Sequence, residues 1–124
     1  MNWRFWMLTG SISAALSIML GAFAAHRLQG VITAESLALI ETAQRYQIIH
    51  SIALLLTGFA AMKSDLRKFQ AAGVAFLGGI VFFSGSLYAM GITGLSWLGA
   101  ITPIGGLSLI VGWILLGYGL ASIR

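Results

Sequence analysis

Four apolar runs separated by short polar stretches dominate the chain. They extend from about Phe5 to Ala25, Gln44 to Met62, Phe69 to Thr93 and Pro103 to Ser122. Basic residues punctuate them: Arg4 and Arg27 flank the first, Lys63 closes the second, Arg67 and Lys68 precede the third, and Arg124 follows the fourth. A helix advances about 1.5 Å per residue, so about 20 residues cross a hydrocarbon core of about 30 Å. Each run reaches that length. Within hydrocarbon only helices and closed barrels satisfy the backbone, and these runs are too continuous for barrel strands. The pattern therefore predicts an all-α polytopic membrane protein, a compact four-transmembrane-helix bundle. It forms a single transmembrane domain over residues 1–124, with spans at about 5–25, 44–62, 69–93 and 103–122. Ala22-Phe23-Ala24 fits a small-x-small cleavage pattern, but the apolar run before it exceeds the usual signal-peptide core of about 7–15 residues. The first run is expected to stay as a helix.

Composition agrees with this reading and removes other classes. Hydrophobic residues make up 59% of the 124 and charged residues 8%, against about 25% charged in a soluble domain. In water such a surface would be largely bare apolar side chain and would aggregate. No stretch is polar enough to form a separate soluble module. The absence of cysteine excludes disulfides, thiolate catalysis and cysteine-based metal sites. The net charge of +4 does not signal nucleic acid, because the basic residues lie between apolar runs and form no dense patch.

Those basic residues set an orientation. With four crossings, Arg4, Lys63, Arg67, Lys68 and Arg124 share one side, while Arg27 and Arg45 lie on the other with Glu35 and Glu41. The positive-inside rule then puts both termini in the cytoplasm. Trp3, Trp6 and Tyr118 are expected near the inner interface, and Tyr46 and Trp97 near the outer one.

Lipid removes the ordinary drive for helix association, so packing depends on close approach at small residues. Ser13, Ser17, Gly21 and Ala25 recur every fourth position in the first run. Ala71, Ala75, Gly78, Gly85 and Ala89 alternate by threes and fours in the third, and Gly105, Ser108, Gly112 and Gly119 mark the fourth. The second contributes Ala53, Thr57 and Ala61. Larger residues such as Leu, Ile and Phe are expected to face lipid. The spacing leaves open whether the seams meet within one chain or between copies. Thr102-Pro103 reads as a helix start, with a threonine N-cap before a proline at the first helical position.

Polar residues gather at the outer end of the first two helices. In the connection from Arg27 to Ala43, Thr33, Glu35 and Ser36 resemble a helix start. This stretch reads as a short amphipathic segment on the outer surface, or as a helix that runs on into the second span. Glu41 and Arg45 stand four apart, in the order that favours pairing. Gln44, Gln47, His50 and Ser51 make the outer half of the second span polar, so they should face the bundle interior. With His26 at the end of the first helix and Thr102 at the start of the fourth, His26, Glu41, Gln44, Arg45, Gln47 and His50 form the candidate cluster or ligand site. Structural glue, a titrating site, a small-ligand site and haem held by two histidines are its readings. Two histidines at different depths lack the pattern of a haem pair, and zinc needs more ligands, so no cofactor or metal is expected. No nucleophile elbow, phosphate loop, paired carboxylates or triad is present, which argues against an enzyme. No carboxylate lies within the hydrophobic part of a span, which counts against a proton-coupled exporter. Ser84-Gly85-Ser86 marks either a kink or a small packing surface.

Four stretches resemble one family: Gly21-Ala22-Phe23-Ala24-Ala25-His26; Thr42-Ala43-Gln44-Arg45-Tyr46-Gln47 leading to His50-Ser51; Phe83-Ser84-Gly85-Ser86-Leu87-Tyr88; and Leu98 through Gly106, which contains Thr102-Pro103. Together they resemble the YgdD/YwdK-like small integral membrane proteins, a bacterial family with animal relatives. Where that family usually has His-Ala, this chain has His50-Ser51. The resemblance implies a four-span protein of the bacterial inner membrane and supplies no mechanism. Two functions are expected. One is a structural or accessory protein that oligomerises or joins a larger membrane complex. The other binds or transports a lipid, quinone or similar small molecule near His26 and His50.

Overall fold

The computed structural model describes residues 2–64 and 67–124, and within them the chain is helical with no strand. The first helix, α1 (Trp3–Phe23), starts where the Asn2 side chain accepts the Phe5 N–H at 3.1 Å. It continues through a π turn, Ala24–Leu28, so it runs past the expected end at Ala25. Helix α2 (Ala34–Lys63) is one unbroken helix of 30 residues, capped by the Thr33 hydroxyl accepting from the Ser36 N–H at 3.1 Å. The outer segment and the second run are therefore one element. Nothing between Glu35 and Lys63 breaks helical hydrogen bonding, and the chain has its single proline at position 103.

The third rod is α3 (Arg67–Gly79), a π segment Ile80–Ser84, and α4 (Gly85–Thr93). The π segment ends where the Ser84-Gly85-Ser86 triplet begins. Gly94 ends the rod with φ 73°, a left-handed cap that lets its N–H reach the Met90 carbonyl at 2.8 Å. A 3-10 turn, Ser96–Ala100, leads into α5 (Thr102–Ala121), with Pro103 in the first turn. The expected threonine cap does not form. Ile101 occupies the cap position without a side-chain bond, and the Thr102 hydroxyl instead lies 2.6 Å from the Ser86 hydroxyl of α4. A tertiary partner has taken the group that local pattern assigned to the helix start.

Three helical stretches are long and apolar enough to cross a membrane: Trp3–Leu28, Arg67–Thr93 and Ser96–Ala121. Helix α2 has the length without that apolarity, because Gln44, Arg45, Gln47 and His50 crowd its middle. The connection Lys63–Lys68 includes positions 65–66, which lie outside the described residues.

Helix α2 sits between α1 and the third rod, and α5 packs on the third rod while touching α2 little. Each interface is built by driving something large into a glycine notch. The Trp6 ring of α1 lies on Gly73, and Phe76 and Phe69 of α3 lie on Gly112 and Gly119 of α5. Trp6, Phe69, Phe76 and Leu54 are fully buried, so aromatic residues expected at the lipid or the interface form the core instead. Trp6 satisfies its indole N–H on Gln70 Oε1 at 3.0 Å, which a buried tryptophan needs. Many aliphatic residues, among them Leu8, Ile12, Ile18 and Ile114, do face outward.

Of the expected packing positions, Ser13 and Ser17 are buried against α2, and Gly21 meets the Gln44 side chain. Gly105 is pressed against the backbone of Phe82 and Phe83. Gly78 makes only an ordinary contact with Ser108, and Gly85 has nothing within 4 Å of where a Cβ would stand. The close approaches on the third rod fall at Gly73, Gly79 and Gly91. A π turn adds a residue to its turn, so the helix faces above and below it do not follow one stripe.

Candidate functional site

The polar residues between the helices separate into three sets rather than one cluster. The first binds α1. Gln47 donates through Nε2 to the Ser13 carbonyl at 3.1 Å and to Ser13 Oγ at 3.3 Å, and accepts from the Tyr88 hydroxyl at 2.6 Å. Ser51 donates to Ser13 Oγ at 2.7 Å or to the Gln47 carbonyl at 2.6 Å. Gln44 donates to Ser17 Oγ at 3.2 Å, and that hydroxyl reaches the Gln44 carbonyl at 3.0 Å. One glutamine thereby ties α1, α2 and α4 together.

The second set joins the rod to its neighbours through hydroxyls. Ser84 donates to the Ala43 carbonyl at 2.8 Å, Ser108 to the Ala75 carbonyl at 2.7 Å, and Ser86 meets Thr102. Every buried side-chain nitrogen and oxygen among the described residues has a partner, as a segment without access to water requires.

The third set centres on His50, which is buried. Its Nδ1 lies 2.6 Å from the Tyr46 carbonyl, and Trp113 Nε1 donates to its Nε2 at 3.0 Å. This pair lines a groove of about 520 Å³ between α2 and α5, with His50 buried and Trp113 partly exposed. Helix α2 supplies Arg45, Tyr46 and Ile49 to its walls, α5 supplies Gly106, Leu109 and Ile110, and Phe83 closes one side. Gly105 lets α5 approach the third rod closely, whereas α5 touches α2 little. Rings line the groove: Tyr46 lies 4.6 Å from Phe83, and Trp113 packs 5.1 Å from the buried Phe76 behind it. The lining is apolar except at Arg45, Tyr46 and the engaged His50.

His26 is exposed on the π turn that ends α1, and Glu41 and Arg45 are exposed on α2. Arg45 joins His50 at the groove, while Gln44 and Gln47 face α1 and Thr102 faces α4. Helical spacing explains the division, since positions 44 and 47 point to the opposite side of α2 from 45 and 49. Among the described residues no group of three metal-binding side chains comes together. With both ring nitrogens engaged, His50 has no free lone pair to offer a haem iron.

Trp113 carries a signal in the sequence: it lies near the middle of the fourth apolar run, away from the interfacial belts where such residues usually sit, so its indole N–H calls for a partner within the protein.

The match to known proteins covers most of the chain. The family model described as "Protein of unknown function (DUF423)" matches residues 20–106. UPF0382 membrane protein YwdK of Bacillus subtilis (strain 168) is 40% identical over 114 residues, spanning 91% of this chain and 93% of that protein. UPF0382 membrane protein SAB0533 of Staphylococcus aureus (strain bovine RF122 / ET3-1) is 41% identical over 113 residues, 91% of this chain and 92% of its own length. A UPF0382 membrane protein of Haemophilus influenzae (strain ATCC 51907 / DSM 11121 / KW20 / Rd) is 40% identical over 110 residues, 88% and 87% of the two chains. No solved structure matches. The groove and the glutamine clip are thus features of a helical membrane protein that belongs to the DUF423 family, whose relatives carry the name UPF0382 membrane protein.

Proposed function

We propose that the protein is a four-span component of the bacterial inner membrane, with both termini in the cytoplasm, that binds one amphiphilic molecule in the groove between α2 and α5. The groove carries this reading: a mostly apolar cleft lined by one charged residue, Arg45, and by the hydrogen-bonded His50–Trp113 pair. Sites for small molecules are typically concave, mostly apolar and equipped with a few placed polar groups. Helix α2 serves as the fourth crossing because its polar residues turn toward α1, α4 and α5, where their hydrogen bonds lower the cost of immersion. The basic residues Arg4, Lys63, Arg67, Lys68 and Arg124 support the cytoplasmic placement.

Native mass spectrometry of the full chain, released from mild detergent, tests the binding reading. The wild type is expected to retain one amphiphile. Gly106→Ile and Ile49→Trp, which fill the groove from opposite walls, are expected to lose it while keeping helical circular dichroism and elution volume. Equal retention by the wild type and both folded variants overturns the proposal.

A second reading, assembly with further copies or with a membrane complex, has a narrower support. Gly85 and Gly117 have open space beside their Cα atoms, so a second helix can approach there closely. Most other glycines already serve contacts within the chain. A monomer in several detergents and in nanodiscs overturns that reading.

A further inference from the structure

We infer that the occupant of the α2–α5 groove is a phospholipid with a phosphoethanolamine headgroup, its phosphate on Arg45 and its ammonium on Glu41. This inference rests on the groove reading above.

The groove-lining stripe of α2 carries Arg45, Tyr46, Ile49 and His50. Continued one turn outward, that stripe reaches Glu41, which is exposed, as is Arg45. Taking Lys63 as the inner end, Arg45 stands about 27 Å above it at about 1.5 Å per residue, which is the level of an outer headgroup. Glu41 stands about 6 Å further out. Going outward, the stripe is therefore apolar, then positive, then negative. A phosphoethanolamine lipid presents the complementary order: acyl chain, phosphate, ammonium. The guanidinium is always charged and matches phosphate oxygens with paired donors. The ammonium brings N–H donors that a carboxylate accepts, which a choline headgroup lacks.

The deeper part of the groove separates a lipid from a quinone. A quinone ring seated at depth needs a hydrogen-bond donor for its carbonyl oxygen. His50 and Trp113 spend their N–H groups on the Tyr46 carbonyl and on each other, and the remaining polar side chains of the lining, Arg45 and Tyr46, stand near headgroup level. An acyl chain needs no such donor and fits a wall of Ile49, Leu109, Ile110 and the Trp113 ring.

Competition among phosphatidylethanolamine, phosphatidylglycerol, phosphatidylcholine and a long-chain ubiquinone, read by native mass spectrometry of the full chain, tests the assignment. The wild type is expected to prefer phosphatidylethanolamine about fivefold or more over the others, the scale of a single exposed charge contact. Arg45→Gln lowers retention of both phosphoethanolamine and phosphoglycerol lipids about tenfold, and Arg45→Lys restores part of it. Glu41→Gln removes the ammonium partner and turns the preference toward phosphatidylglycerol. A wild type that favours phosphatidylglycerol, treats choline and ethanolamine alike or retains the quinone overturns the assignment, as does a Glu41→Gln variant with unchanged preference. If a lipid is held without headgroup preference and lost on filling the groove with Gly106→Ile, only this inference fails. If Gly106→Ile and Ile49→Trp hold as much lipid as the wild type, the groove reading fails with it.

Discussion

Trp113 and His50 fix each other's polar atoms across the gap between α5 and α2: the indole N–H donates to His50 Nε2 at 3.0 Å, while His50 Nδ1 faces the Tyr46 carbonyl at 2.6 Å. A carbonyl only accepts and an indole N–H only donates, so the two partners select the neutral imidazole with its proton on Nδ1. Nitrogen NMR on histidine-labelled protein is expected to show a protonated Nδ1 and a bare Nε2 for His50. Trp113→Phe removes the donor to Nε2 and is expected to cost about 1 kcal/mol, read as reduced resistance to unfolding in detergent. A doubly protonated ring, or the tautomer with its proton on Nε2, contradicts this arrangement.

Gln47 is the residue on which three helices converge, because it bonds Ser13 and Tyr88 at once. Gln47→Leu leaves the Tyr88 hydroxyl without its acceptor and is expected to destabilise by about 1–3 kcal/mol. A double-mutant cycle with Tyr88→Phe should return a coupling of about 0.6 kcal/mol or more, the usual scale within membranes. A coupling of zero would show that the bond contributes nothing in lipid.

Two glycines of α5 should respond oppositely to the same change. Gly105 is pressed against the backbone of Phe82 and Phe83, which cannot swing aside as a side chain end would. Gly105→Ala is expected to cost about 1–3 kcal/mol through overpacking. Gly117 has nothing within 4 Å of an added Cβ, so Gly117→Ala is expected to be neutral or to stabilise by up to about 1 kcal/mol through helix propensity. Thermal aggregation of both variants in one detergent checks the contrast, and equal effects would refute it.

Because the chain lacks cysteine, single substitutions report topology without background. Gln29→Cys and Ser96→Cys, in the two connections that the proposed orientation puts outside, are expected to react with a membrane-impermeant maleimide added to spheroplasts. Asn2→Cys and Ser122→Cys are expected to react only after permeabilisation. Labelling of Asn2→Cys and Ser122→Cys from opposite sides would mean an odd number of crossings and would remove α2 from the bilayer.

The candidate site was only partly legible in the chain. His50 and Arg45 stand out as polar residues in an apolar run, but which face of α2 each one meets depends on neighbours far away in sequence. Gln44 and Gln47 turn to α1, and Arg45 and His50 turn to α5. His26, next to Ala25 at the end of the small-residue series of α1, shares their depth in the sequence pattern, and the structure leaves it exposed on a π turn. Trp113 could be joined to His50 only once the two helices were set side by side.

By itself the sequence determined the helices and the membrane setting, since both follow from local quantities. These are the length of each apolar run, the scarcity of charge, and a backbone that must satisfy itself in hydrocarbon. Tertiary structure alone decided which small residues became contacts, that Trp6, Phe69 and Phe76 became core, and that a groove stands between α2 and α5. The physical reason is that lipid and protein interior are about equally apolar. Hydrophobicity therefore cannot tell an inward face from an outward one, and only the matching of shapes and hydrogen bonds between helices does so.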